Sequence, residues 1–93
     1  MRSTDDICSR HLRIRGRVQG VGFRHFLTQH AQALGLGGWV RNLPDGSVEA
    51  LICGPQASVA ILLQRASEGP AWGRVDEVLV EDSQEQVPGF GRL

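Results

Sequence analysis

Between Arg10 and Arg17 apolar and polar positions alternate, Leu12 and Ile14 on one face against Arg13, Arg15 and Arg17 on the other. A period of two with one charged face predicts a half-buried strand. From Phe23 the period lengthens: Phe23, Phe26, Leu27, Ala31 and Leu34 recur at three and four, and Gly35 stands where a left-handed residue ends a helix. The spacing predicts an amphipathic helix of about three turns. Gly38–Leu43 and Ser47–Cys53 are strand patterns around the turn signal Pro44-Asp45-Gly46, so they read as a hairpin. Gly54-Pro55 breaks the second of them, and the proline opens a helix with Val59, Leu62, Leu63 and Ala66 on one face, ended by Gly69-Pro70. A further strand runs from Arg74 to Asp82, where Val78 and Val80 alternate against Leu79 and Glu81 and the parity of Val75 is undecided. The remainder, Ser83 to Leu93, holds at most a short last strand.

The order strand, helix, strand, strand, helix, strand predicts an α+β fold, a ferredoxin-like sandwich (β-α-β-β-α-β) with an antiparallel sheet of four to five strands and two helices on one face. Residues 1–93 are expected to form a single domain, with residues 1–9 as a flexible N-terminal tail. In this arrangement the first and second strands run parallel with the third between them, so their C-terminal ends share one edge of the sheet. Asn42 has the parity of Val40 and therefore faces the helices at that edge.

Composition narrows the activity. A chain of 93 residues holds one modest core. Ten basic and ten acidic residues balance, which argues against bulk attraction to nucleic acid or membrane as the main activity. The balance is uneven along the chain: seven arginines face three acids up to Gly46, and three face seven from Ser47 onward. Lysine is absent, which removes Schiff-base chemistry and the P-loop lysine. No apolar leader or membrane-length run is present, so a cytoplasmic chain is expected. Cys8 and Cys53 read as reduced thiols, and neither Cys8 with His11 nor His25 with His30 has metal-ligand spacing.

The stretch that carries chemistry is Gly16-Arg17-Val18-Gln19-Gly20-Val21-Gly22-Phe23-Arg24, three glycines that leave a strand and open onto a helix. Glycine permits positive φ, so successive N–H groups can converge on an anion, and the helix adds its unpaired amides and positive end. Arg24 breaks the local rule. A cation in the first turn opposes the helix dipole at about 0.3–1 kcal/mol unless an anion lies between them. The loop has neither the third glycine of G-x-G-x-x-G nor the Lys-Ser/Thr of the P-loop.

Two blocks, Gly16–Arg24 (GRVQGVGFR) and Gly38-Trp39-Val40-Arg41-Asn42 followed by Asp45-Gly46-Ser47-Val48-Glu49, resemble the acylphosphatases, which hydrolyse the mixed anhydride of a carboxylic and a phosphoric acid. The resemblance runs from about Leu12 to about Val80. It implies that the loop Gln19, Gly20, Val21, Gly22, Phe23 and Arg24 cradles a phosphoryl group, with Arg24 gripping it, and that Asn42 orients the attacking water. The substrate it implies is a small acyl phosphate, with inorganic phosphate or sulfate able to occupy the loop. No metal or other cofactor, no nucleic acid and no membrane is expected, and the chain is expected to be a monomer.

Two other classes fit the same element order. An RNA-binding module would expose Arg13, Arg15, Trp39 and Arg41 on the open sheet face, but the third strand, Ser47-Val48-Glu49-Ala50-Leu51, lacks stacking aromatics and the chain has no tyrosine. A non-catalytic or channelling role, as in acylphosphatase-like domains of larger carbamoyl-phosphate-using maturation proteins, would keep anion binding without hydrolysis.

Overall fold

A computed structural model gives the structure of residues 6–93. The elements are β1 (Ile7–Arg17), α1 (Phe23–Ala33), β2 (Gly37–Asn42), β3 (Val48–Pro55), α2 (Gln56–Glu68), β4 (Arg74–Ser83) and β5 (Phe90–Arg92), in a five-stranded sheet of order β4-β1-β3-β2-β5. The first four strands pair antiparallel as expected. The wholly antiparallel sheet needs correction, because β5 joins the β2 edge in parallel, with Gly38 opposite Phe90 and Val40 opposite Arg92. The chain leaves β4 at one edge and crosses the sheet to reach the other, so β5 arrives with the same direction as β2.

The expected tail, residues 1–9, lies outside the described residues as far as residue 5. Beyond that it needs correction: Ile7 pairs with Pro55, Cys8 with Gly54 and Ser9 with both Cys53 and Ser83, so β1 begins three residues before the alternation is visible. Its opening residues are held by neighbours rather than by an amphipathic pattern of their own.

Both helices cover the face carrying Leu12, Ile14, Val40, Val48, Ala50 and Ile52, and bury Phe23, Leu27, Ala31, Val59, Leu62 and Ala66 against it. At about 25 cal/mol per Å², fully burying a side chain of this size stabilises by about 1.5–3 kcal/mol, which makes this face the main source of stability. The undecided parity of Val75 has a structural answer. Register shifts between Arg15, opposite Glu77, and Gly16, opposite Val75, so Asp76 is an extra residue on β4. That bulge brings Val75 and Val78, an odd and an even position, onto the same core.

The other face is open, and its middle is closed by its own side chains. Leu51 is fully buried there, between His11 and Trp39, which pair with it from either side and meet edge to face at 6.3 Å.

Candidate functional site

The bend from β1 into α1 is built by glycine. Gly20 has φ 74° and Gly22 φ 81°, and a Cβ on either would meet nothing within 4 Å. Their need is for left-handed backbone, not for space. Gly22 is the N-cap of α1 and offers no side-chain cap. The first intrahelical bond runs from the Phe26 N–H to the Gly22 carbonyl at 2.9 Å, so the amides of Phe23, Arg24 and His25 have no partner within the helix. The first turn holds Arg24 and no acidic residue.

Topology then brings distant residues to this turn. β1 and β2 are parallel with β3 between them, so the β1–α1 loop and the end of β2 share an edge. A cavity of about 120 Å³ there is lined by Val18, Gly20, Gly22, Phe23, Arg24, His25, Asn42 and Arg92. Of the residues singled out from sequence, Gly20, Gly22, Phe23, Arg24 and Asn42 meet in it. Gln19 and Val21 do not line it. The Gln19 amide donates from Nε2 to the carbonyls of Leu43 and Ser47, both at 2.8 Å, tying the loop to the β2–β3 turn. Val21 packs against the core.

Val18, His25 and Arg92 also line the cavity and lie outside the set singled out from sequence. His25 follows Arg24 in the first turn of α1. Arg92 sits in a strand of three residues, too short to show a period, and the apolar-x-polar spacing of Phe90 and Arg92 was its only local signal.

The charges of the molecule sort into two groups. Six of the nine arginines among the described residues hold carboxylates: Arg10 with Asp82, Arg13 with Asp45, Arg15 with Glu77, Arg41 with Glu49, Arg65 with Glu68 and Arg74 with Asp76. Arg17, Arg24 and Arg92 are the three outside this set, and two of them line the cavity. The cavity has no acidic lining residue, so it is an electropositive recess formed by two guanidiniums and a helix N-terminus. Nor does Arg24 take its counter-charge from the chain end, since the described residues show no ion pair between it and the Leu93 carboxylate.

The open sheet face is paired internally. Glu49 accepts from His11 Nε2 and Arg41 Nε, each at 2.6 Å, and the Arg41 guanidinium lies 5.4 Å from the Trp39 ring centroid. This aromatic is covered by a cation that is itself neutralised, which leaves little of an electrostatic or stacking platform for RNA. A larger hollow, about 460 Å³, opens at the far end of the sheet among Ile7, Gly37, Cys53 and Val87, and no charged residue lines it.

Comparison with known proteins supplies the family. The acylphosphatase family profile matches residues 10–91, which include the whole glycine loop and Asn42. The chain belongs to the acylphosphatase family. An acylphosphatase of Rhodopseudomonas palustris (strain BisB5) is 53% identical over 74 residues, covering 80% of this chain and 75% of its own. One of Thermococcus kodakarensis is 52% identical over 81 residues, covering 86% and 89%. The solved acylphosphatase of Coxiella burnetii superposes with a TM-score of 0.90 at 36% identity, covering 95% of this chain and 94% of its own. These matches agree with the ferredoxin-like architecture and set the cavity in an acylphosphatase scaffold.

Proposed function

We propose that this acylphosphatase-family chain hydrolyses small acyl phosphates to carboxylate and inorganic phosphate, by direct attack of water at phosphorus, with neither a metal nor a covalent intermediate. The observation that carries this reading is the meeting of Arg24, the uncapped amides of α1 and Asn42 in one recess without a carboxylate. A phosphoryl dianion supplies the charge that Arg24 lacks. Its planar fork matches two phosphoryl oxygens, while the loop amides face the rest. Asn42 has an amide that can both accept from a water and donate, which suits holding the nucleophile in line.

The step balances without an enzyme base. The P–O bond to the acyl group breaks and its electron pair leaves with the carboxylate. Water forms the new P–O bond, keeping one proton and passing the other to a phosphoryl oxygen, so a dianionic substrate gives a carboxylate and dihydrogen phosphate. A carboxylate with a pKa near about 4 needs no general acid to depart. What the site then supplies is position and charge stabilisation on the equatorial oxygens. His25 lines the cavity, yet this route predicts a turnover without the steep histidine titration between about pH 5 and 8. A profile of that kind which vanished in His25→Ala would contradict it.

Hydrolysis of benzoyl phosphate in metal-free buffer tests the assignment. Arg24→Gln is expected to lower kcat/KM by about 10²–10³, chiefly through KM, since it removes a bidentate charged contact. Asn42→Ala is expected to lower kcat by about 10² with KM little changed. Unchanged kinetics in either variant removes that residue from the mechanism. A parent protein that bound phosphate without hydrolysing any acyl phosphate would favour the non-catalytic reading.

Among the described residues no helix is long and apolar enough to cross a membrane, and both cysteines are free thiols. Reduced cysteines fit a reducing compartment, and we assign the chain to the cytoplasm as a monomer.

A further inference from the structure

We propose that Arg92 is a second guanidinium ligand of the phosphoryl group, making this site selective for dianions over monoanions. The proposal rests on the acyl-phosphate reading of the cavity and extends it to a residue beyond the matched family span, which ends at Gly91.

Three observations carry it. The first is direction. Arg92 pairs with Val40 in the parallel β2–β5 ladder, and paired residues present their side chains to the same face. Val40 is fully buried beneath the helices, and Asn42 is two residues further along the same face, so Arg92 projects toward the α1 N-terminus rather than the open side.

The second is fixation. An arginine near a chain end would ordinarily sample solvent. Here the backbone before and after it is anchored, although β5 is an edge strand and the Arg92 side chain is exposed: Phe90 is buried, Gln32 Nε2 donates to the Phe90 carbonyl at 3.1 Å, the Gly38 N–H to the Gly89 carbonyl at 2.8 Å, and the Leu93 N–H to the Val40 carbonyl at 2.9 Å.

The third is charge. Six arginines of the described residues are neutralised, while Arg24 and Arg92 share one recess with no carboxylate in its lining. Like charges converging beside a helix N-terminus repel each other, and a bound anion is what relieves them. One guanidinium with the loop amides suffices for a single charge. Two suit the two charges of a phosphoryl dianion, and the charge that shifts among its oxygens during transfer.

Calorimetric titration of the full chain with sulfate, inorganic phosphate and nitrate at pH 8, in low salt, reads this without turnover. Arg92→Gln should raise the Kd for sulfate and for phosphate about tenfold while changing nitrate less than about twofold, and Arg92→Lys should recover part of the loss. With acetyl phosphate the same Gln variant should raise KM by a similar factor. Sulfate and phosphate affinities within twofold of the parent in Arg92→Gln, with Arg24→Gln still losing them, would overturn the proposal. So would an equal loss for nitrate, which would mark general loosening of the loop, or a parent that binds none of the anions. A parent that binds dianions in this pattern but hydrolyses no acyl phosphate would remove the proposed activity and leave the role of Arg92 standing.

Discussion

Gln19 lies between two residues that line the cavity, Val18 and Gly20, and gives its own amide to Leu43 and Ser47. Its contribution to the proposed anion site is therefore indirect: it fixes the loop against the β2–β3 turn, which begins just past Asn42. The Leu43 and Ser47 carbonyls keep backbone donors from Gly46 and Leu43, so Gln19→Ala removes two hydrogen bonds without orphaning an acceptor and should cost about 1–2 kcal/mol in urea denaturation. Phosphate affinity should fall less than in Arg24→Gln, because no ligand atom is lost. A loss of affinity equal to that of Arg24→Gln, without loss of stability, would make Gln19 a direct ligand. Residue type and order made Gln19 a candidate, but where a flexible amide points is a matter of which carbonyls stand within reach after folding.

β3 shows what a central strand does for the sheet. Its Glu49 accepts from His11 on β1 and Arg41 on β2, so one carboxylate joins three strands on the open face. Burial pushes this carboxyl upward, but the hydrogen bonds and charges of His11 and Arg41 outweigh it and hold its pKa below the ordinary 4.5. Because the folded value is the lower one, the stabilisation is complete above about pH 4.5, where the unfolded carboxyl is also ionised. It is lost as pH falls through the folded value. The urea midpoint should therefore drop between pH 5 and pH 3, and Glu49→Gln should show a smaller drop from a lower starting stability. Asp45 and Asp76, held low by hydrogen bonds from Ser47 and Arg74, act in the same direction, weakened by their exposure to solvent. An unaltered pH slope in Glu49→Gln would assign the acid sensitivity elsewhere. The alternation of β3 and the charges near it were visible in the chain, whereas the partners of Glu49 follow from a register that only pairing defines.

Across the whole molecule, the segment between β4 and β5 connects the two opposite edges of the sheet. On the way Val87 exchanges contacts with Cys53, whose thiol donates to the Val87 carbonyl at 3.3 Å. Gly37 lies directly beneath it: a Cβ there would come within 1.8 Å of the Val87 carbonyl oxygen. Gly37→Ala should thus force the crossing segment outward and destabilise by about 1–3 kcal/mol. Hydrogen exchange at the Gly38 and Leu93 amides, which bond Gly89 and Val40, should speed up, since β5 is laid down by that crossing. Exchange at these amides that matched the parent would separate β5 from it.

Local pattern by itself determined the helices, the strands between Arg10 and Asp82, and the glycine turn that ends in Arg24, while Asn42 was joined to that turn by the order of the elements and by the resemblance of its block. Period, turn chemistry and a cation at the wrong end of a helix are all short-range features, written in a few adjacent residues. Tertiary structure decided the rest: the early start of β1, the bulge that reconciles Val75 with Val78, the bonding of Gln19 to the β2–β3 turn and the parallel docking of β5. Each depends on a partner far along the chain. So does Arg92, which reaches the cavity because a strand of three residues is held in place by Gly38, Val40 and Gln32 rather than by any pattern of its own.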